Sequence, residues 1–409
     1  MLPEQFFPVT DNMMDMTKPD TDLSRHLSAP IICVVGARPN FMKIAPIIRA
    51  LRSPPDAIPV RLVHTGQHYD AEMNDAFFTQ LQIPHPDIEL EVGSGSHAVQ
   101  TAEIMKRFEA VVDKETPAAV LVVGDVNSTI ACALVAAKKN IPVIHVEAGL
   151  RSFDRTMPEE INRVLTDRIS DILFITEPSA RDNLRHEGVD ERQVHFVGNV
   201  MIDTLRHSLS QSIPAATTLA GAGNTDLFLE GEQGYAVLTL HRPANVDDRD
   251  LFSELLETVR QVSERIPVVF PVHPRTRKAL VDHGLQACLD TKRILCLPPL
   301  GYLEMLGLIS SARLVMTDSG GLQEETTVVG VPCITLRENT ERPVTVDQGT
   351  NTITGHERTL ILSVLDDVLT AGGKRGRTPE LWDGKAAERI KQVLNDWLQR
   401  CREQPGEPA

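Results

Sequence analysis

Residues 119–146 read AVLVVGDVNSTIACALVAAKKNIPVIHV. Five apolar residues, Ala119–Val123, run without interruption and stop at Gly124-Asp125. A helical pattern, Ser128–Lys138, follows, and Val143–Val146 is a second apolar run. A strand that is apolar at every position has both faces covered. Two such strands joined by one helix make a βαβ unit with parallel strands.

The alternation continues in both directions. Ile31–Val35, Arg61–His64, Ile172–Thr176 and Val194–Val197 are further strand-like runs. Tyr235–Leu240, Val268–Val272, Ile294–Leu297, Leu314–Thr317 and Cys333–Leu336 resume the pattern later. Met42–Leu51 and Ala98–Val112 carry helical periodicity. The pattern breaks at Ser208–Gly234, which holds Pro214, Gly221, Gly223, Gly231 and Gly234. The expected fold class is therefore α/β, with two doubly wound parallel-sheet domains over residues 30–206 and 207–377. Residues 1–29 are expected to form a flexible tail. Ile390, Val393, Leu394, Trp397 and Leu398 form the stripe of an amphipathic helix within 378–402.

Length and charge bound the rest. The chain has 409 residues, enough for two domains at about 150 residues each. With 41 Lys and Arg against 56 Asp and Glu, its net charge is −15. Such an acidic chain is a poor partner for nucleic acid or a membrane surface. No window holds the 18 or so apolar residues of a spanning helix. The first 30 residues lack the basic and apolar blocks of a signal peptide. None of the six cysteines sits at CxxC or metal-ligand spacing, so no metal site and a reducing cytoplasm are expected.

Polar clusters begin where strands end, the edge at which open parallel sheets bind ligands. In the first half these are Gly36-Ala37-Arg38-Pro39-Asn40-Phe41-Met42-Lys43, His64-Thr65-Gly66-Gln67-His68-Tyr69-Asp70, and Gly124-Asp125-Val126-Asn127-Ser128. His145–Arg151, containing Glu147, leads to Pro158-Glu159-Glu160-Ile161-Asn162-Arg163. In the second half His241-Arg242, His273-Pro274-Arg275 and Thr317-Asp318-Ser319-Gly320-Gly321-Leu322-Gln323-Glu324-Glu325 follow strands, and Arg337 to Arg342 continue that rim. Glycines before a helix let a phosphate approach backbone N–H groups. Each segment alone also reads as an ordinary turn. Asp125 can be a capping residue, Asn127 or Ser128 can cap the next helix, and Glu159 with Arg163 can be a surface pair. His241 and His273 can be turn histidines. Together, anion and ribose contacts in the second half face carboxylates Asp125, Glu147 and Glu159 in the first. That division suits a nucleotide-linked substrate whose other half reacts.

These segments, in this order across residues 31–355, resemble the non-hydrolysing UDP-N-acetylglucosamine 2-epimerases, whose fold is GT-B. The matching motifs include GARPNFMKIAPIIRAL (36–51), HTGQHYD (64–70), GDVNST (124–129), HVEAGLRS (145–152), PEEINR (158–163), VGNVMIDTL (197–205), TLHRPANVD (239–247), PVHPRTR (271–277) and TDSGGLQEE (317–325). The resemblance implies catalytic roles for Asp125, Glu147, Glu159 and His241. It implies substrate contacts for Arg38, Lys43, Arg163, His273, Ser319, Gly320 and Glu325. Gln67, His68, Arg242, Arg275, Gly321 and Arg342 complete the expected substrate-binding set. No cofactor and no metal are implied. A UDP-sugar is the implied partner, a homodimer the implied assembly, and the last helix is expected to pack back on the first domain. Many bacterial members carry Gln-His-Arg-Glu-Met where this chain has Gln67-His68-Tyr69-Asp70, a loop that borders their regulatory UDP-sugar site. Activation by substrate therefore does not carry over.

The implied chemistry is elimination. A base takes the C2 proton as UDP leaves C1, and UDP adds back while a proton reaches the opposite face. Epimerisation of a diacetamido-uronic acid analogue, a hydrolysing epimerase, a GT-B glycosyltransferase and a non-catalytic sugar-nucleotide sensor are the other readings.

Overall fold

The computed structural model describes residues 29–36, 38–66, 83–222 and 225–403. The expected tail, up to residue 28, lies outside them, as do Gln67 and His68. The side chain of Arg38 also lies outside the description.

The first sheet contains β1 (Ile31–Val35), β2 (Val60–His64), β3 (Ile88–Glu89), β4 (Ala119–Val123), β5 (Val143–Ala148), β6 (Ile172–Ile175) and β7 (Val194–Phe196). Their order is β3-β2-β1-β4-β5-β6-β7, and every pairing is parallel. The second contains β8 (Ala236–Thr239), β9 (Val268–Pro271), β10 (Ile294–Leu297), β11 (Leu314–Thr317), β12 (Cys333–Thr335) and β13 (Asn351–Ile353). Their order is β10-β9-β8-β11-β12-β13, again all parallel. Strands β1, β4 and β5 are buried at every position, as continuous apolar runs demand. In each sheet the strand order reverses beside the unit's first strand, between β1 and β4 and between β8 and β11. These topological switch points are where doubly wound sheets open a crevice.

One apolar cluster joins the two units. Phe41, Ile44, Ile47 and Leu51 of helix Arg38–Arg52 pack with Ile390, Leu394 and Trp397 of the last helix, Ala386–Glu403. Val200 and Met201 belong to the same cluster, with Tyr302, Leu306 and Val344 of the second unit. Trp382 is fully buried and donates its ring N–H to Thr176 O at 3.0 Å. The last helix is capped from a distance. Asp203 accepts the N–H groups of Ala386 (3.1 Å) and Ala387 (2.7 Å).

Ser208–Gly234 is not an unstructured break. It contains helices Ala215–Leu219 and Asp226–Leu229, whose Ala215, Leu219 and Phe228 pack with Tyr235 and Val237 under the second sheet. No described helix is long and apolar enough to cross a membrane.

Candidate active site

The ends of β4 and β5 place two carboxylates within reach of Lys43. Gly124, at φ +66°, turns the chain out of β4 and presents Asp125. Glu147, at φ +72°, does the same in β5, where the register with β6 shifts between Val146 and Ala148. A left-handed backbone costs a residue with a side chain about 1–2 kcal/mol. Such positions persist where the surroundings enforce them, and they concentrate at functional sites. Lys43, from helix Arg38–Arg52, lies across both turns. Its Nζ is 2.7 Å from Glu147 Oε1, and a Cβ on Gly124 would come within 2.9 Å of it.

Asp125 ion-pairs with Arg163, whose other nitrogen reaches Glu160 at 2.6 Å. Burial pushes the Asp125 carboxyl up, but the Arg163 and Lys43 charges outweigh that and hold it below the usual range. Its side chain keeps 23% of its surface open. Glu160 fixes the loop before its helix by accepting from Ser152 N and Phe153 N (3.0 and 2.9 Å). The expected pair Glu159/Arg163 is therefore replaced by Arg163 with Asp125 and Glu160. Glu159 stays half-buried at the helix start, within electrostatic reach of Arg242 in the second unit.

Arg342 crosses between the units. It meets Glu147 Oε1 at 3.3 Å, Glu324 Oε1 at 2.7 Å and Glu341 Oε1 at 2.5 Å, with 8% of its side chain exposed. Glu324 also accepts from Asn199 Nδ2 (3.0 Å) in the first unit. Glu147 Oε2 is buried and has no hydrogen-bond partner among the described residues. Glu324 Oε2, in the same network, is likewise buried without a partner among the described residues.

The second wall rises from β8 and β11. Asp318 ends β11, accepts the N–H groups of His241 (2.9 Å) and Arg242 (2.9 Å), and holds His241 Nδ1 at 2.8 Å. Burial raises the Asp318 carboxyl and the His241 contact reverses the effect, leaving it low. The His241 side chain is 39% exposed and its ring lies 5.6 Å from that of His273. Around Glu341, Arg342 (2.5 Å), Arg337 (2.8 Å) and Arg242 (3.8 Å) converge. Burial pushes Glu341 up, but these cations hold it well below its ordinary value.

Helix Gly320–Val329 opens beside this cluster. Ser319 is its N-cap residue and makes no side-chain cap bond. Gly320 is required by close packing, because a Cβ there would lie 2.5 Å from Arg342 Nη1 and 2.9 Å from Glu341 Oε1. Gly321 has no such neighbour; the nearest atom is Met201 Cε at 3.7 Å. Glu325, deeper in the helix and facing Tyr302, is pushed up to about 8 by burial and by Glu324.

Ion pairs join Lys43 to Glu147, Glu147 to Arg342 and Asp125 to Arg163, whereas Arg275 and His273 are held at the start of their own helix, and Gln67, His68 and the Arg38 side chain lie outside the described residues. Arg275 lies outward in an exposed pair with Asp247 (2.6 Å). His273 caps its own helix, accepting from Arg275 N at 3.2 Å, as a turn histidine does. The capping role expected of Asn127 or Ser128 is not found. Val126 is the N-cap residue, Asn127 bonds Gln100 (2.8 Å), and Ser128 bonds Thr65 (2.7 Å). Sequence reading did not single out Asp318, Glu324, Glu341 or Asn199 as site residues. Asp318 stood inside a quoted motif at a strand end, and that position was the available signal. A pocket of about 360 Å³, lined by Thr176, Glu177, Val344, Gln348 and Arg377, lies at the crossing between the units, with Glu177 within electrostatic reach of Glu324 and Arg342. Among the described residues no three His, Cys, Asp or Glu side chains converge as metal ligands.

Residues 49–395 match the family model described as UDP-N-acetylglucosamine 2-epimerase. The UDP-N-acetylglucosamine 2-epimerase of Methanocaldococcus jannaschii is 41% identical over 88% of this chain and 97% of its own. The UDP-2,3-diacetamido-2,3-dideoxy-D-glucuronate 2-epimerase of Pseudomonas aeruginosa is 38% identical over 89% of this chain and 99% of its own. The crystal structure of the M. jannaschii enzyme with UDP-GlcNAc and UDP superposes with a TM-score of 0.80, covering 90% of this chain and 99% of that one. Fold, strand-end clusters and full-length identity agree, and the chain belongs to the UDP-N-acetylglucosamine 2-epimerase family.

Proposed function

We propose that this protein interconverts UDP-N-acetylglucosamine and UDP-N-acetylmannosamine by eliminating UDP and adding it back. One observation carries the reading: Asp125 and Glu147, on the ends of neighbouring strands, both lie within electrostatic reach of Arg342, which ties them to the guanidinium cluster of the second unit. The C2 proton has no adjacent carbonyl to acidify it. A base must therefore take it as the C1–O bond to the diphosphate breaks. The C–H electron pair becomes the C1=C2 bond and the C1–O pair leaves on UDP. Re-addition reverses these steps with the proton returned to the other face.

In this reading Glu147 Oε2 and Asp125 are the proton-transfer atoms, with Glu159 beside them. The two carboxylates differ in surroundings, since Asp125 is held low and open while Glu147 is buried. Unequal surroundings suit unequal acid and base roles. His241, oriented by Asp318 through Nδ1, presents its other nitrogen to the departing diphosphate. Arg242 and the amides at the start of helix Gly320–Val329 supply the remaining countercharge. Glu325 is assigned to the ribose.

A second substrate is favoured by one finding, the 38% identity to the diacetamido-glucuronate epimerase, close to the 41% of the first relative. Proton NMR of the protein with UDP-GlcNAc in D₂O separates the readings. UDP-ManNAc deuterated at C2 is the expected product. Free ManNAc with UDP would replace it by hydrolysis. An unchanged UDP-GlcNAc spectrum, with turnover of the diacetamido-uronate, would move the assignment to that sugar.

A further inference from the structure

Behind the two strand ends lies a buried pair that the mechanism above does not use. His145 is the third residue of β5 and is fully inaccessible, and Asp167 is 1% exposed. His145 Nδ1 is 2.6 Å from Asp167 Oδ1, and its Nε2 is 2.9 Å from the carbonyl oxygen of Gly124. Gly124 immediately precedes Asp125. The other Asp167 oxygen accepts the N–H of Gly149 at 3.0 Å and meets Arg151 Nη2 at 2.7 Å. Gly149 stands two residues after Glu147. Arg151 is anchored in turn by Glu187 through two nitrogens (2.8 and 2.6 Å).

One carboxylate therefore touches both turns, through a ring on one side and an amide on the other. We propose that Asp167, acting through His145, is a positioning residue that sets the distance and direction between Asp125 and Glu147. The proposal rests on the reading of those two carboxylates as the proton-transfer groups. The two ring nitrogens of His145 thus bridge the Asp167 carboxylate and the Gly124 carbonyl. Charge-assisted bonds in a buried site are short and stiff. Burial would push the Asp167 carboxyl up, and His145 and Arg151 instead hold it low. Glu147 keeps its left-handed backbone only under constraint, and the Asp167 bond to Gly149 closes the turn that follows it. Proton transfer needs that constraint, since a displacement of about 1 Å can cost ~10²-fold in rate.

The test compares full-length Asp167→Asn with wild type by steady-state kinetics, UDP binding and backbone amide exchange. A loss in kcat of about 10- to 100-fold is expected, with KM and UDP affinity within about twofold. Exchange should quicken at residues 124–125 and 147–149 and not across the second sheet. His145→Gln should act alike, and the double variant should fall no further than either single one, as for residues acting as a unit. An unchanged kcat in the folded variants, or an equal loss of kcat and UDP affinity, would overturn the proposal. If Asp167→Asn does not fold, His145→Gln decides, and unfolding of both makes the pair structural only. Should wild type turn over neither sugar nucleotide, the functional reading fails, and amide exchange alone then decides the strut.

Discussion

The two walls of the site handle charge in opposite ways. On the first, each carboxylate has a cation from its own unit: Lys43 for Glu147 and Arg163 for Asp125. On the second, the guanidiniums of Arg242, Arg337 and Arg342 crowd Glu341, and Arg242 lies 3.8 Å from it while donating to the Asp318 carbonyl oxygen at 3.3 Å. Burial and the neighbouring Arg337 lower the Arg242 guanidinium accordingly. A wall with balanced charge can shuttle a proton without reorganising. A wall that gathers guanidiniums, a histidine and the start of a helix suits an anion. The difference assigns proton transfer to the first wall and the diphosphate to the second.

Neutralising the first wall should give the largest effect. Glu147→Gln keeps the shape and removes the base, so kcat should fall by roughly 10²–10⁴-fold while UDP still binds. Steady-state rates with UDP titration check this. Near wild-type turnover would take Glu147 out of the chemistry and dissolve the division between the walls.

The link between the walls comes next. Arg342 is the only described side chain that ion-pairs with Glu147, Glu324 and Glu341 together. Arg342→Met would leave three buried carboxylates without that cation. Breaking a buried pair by deleting one partner costs roughly 3–5 kcal/mol. Urea unfolding should show a loss of that order, with UDP binding weakened as the units separate. A loss under about 1 kcal/mol would mean that the carboxylates are compensated within their own units.

The balance of the first wall was partly legible in the sequence, and the crowding of the second was not. Buried parallel strands must be apolar throughout, so Ala119–Val123 and Val143–Val146 announced themselves. The placement of Asp125 and Glu147 followed from strand ends alone. Strands β3 and β13 escaped because Ile88–Glu89 and Asn351–Ile353 are too short and polar to make a run. Glu341 escaped for another reason. Its partners are Arg337 and Arg342 nearby and Arg242 some hundred residues away, and no periodicity links them. The pairing of Arg163 with Asp125 instead of Glu159 is likewise tertiary, set by how helix Pro158–Ile169 docks beside the β4 turn.

Within the second wall, Glu325 offers a pH-dependent contrast with Asp125. Its carboxyl is pushed up to about 8, whereas its ordinary value is 4.5. The folded state then binds a proton that the unfolded chain has released. Stability contributed by that proton is complete below the unfolded value and is lost as pH rises through about 8. The slope is at most about 1.4 kcal/mol per pH unit. Glu325→Gln should remove this fall, so the variant gains on wild type in urea midpoints between about pH 5 and 8. Parallel curves would show that Glu325 does not titrate in that range.

The smallest effect is expected at Arg275, and it is the one that most sharply delimits the second wall. Its motif resembles a substrate contact, yet its guanidinium points outward to Asp247 in a pair about half exposed, 45% and 52%. Such pairs contribute about 0.2–1 kcal/mol, because water screens them and both side chains lose freedom in forming them. Arg242, by contrast, is 25% exposed and stands in the guanidinium cluster. Arg275→Ala should therefore leave KM within about twofold, while Arg242→Ala raises it about tenfold or more. A rise with Arg275→Ala as large as that with Arg242→Ala would mean that bound substrate draws Arg275 off Asp247. The second wall would then extend to the start of helix Pro274–Asp282.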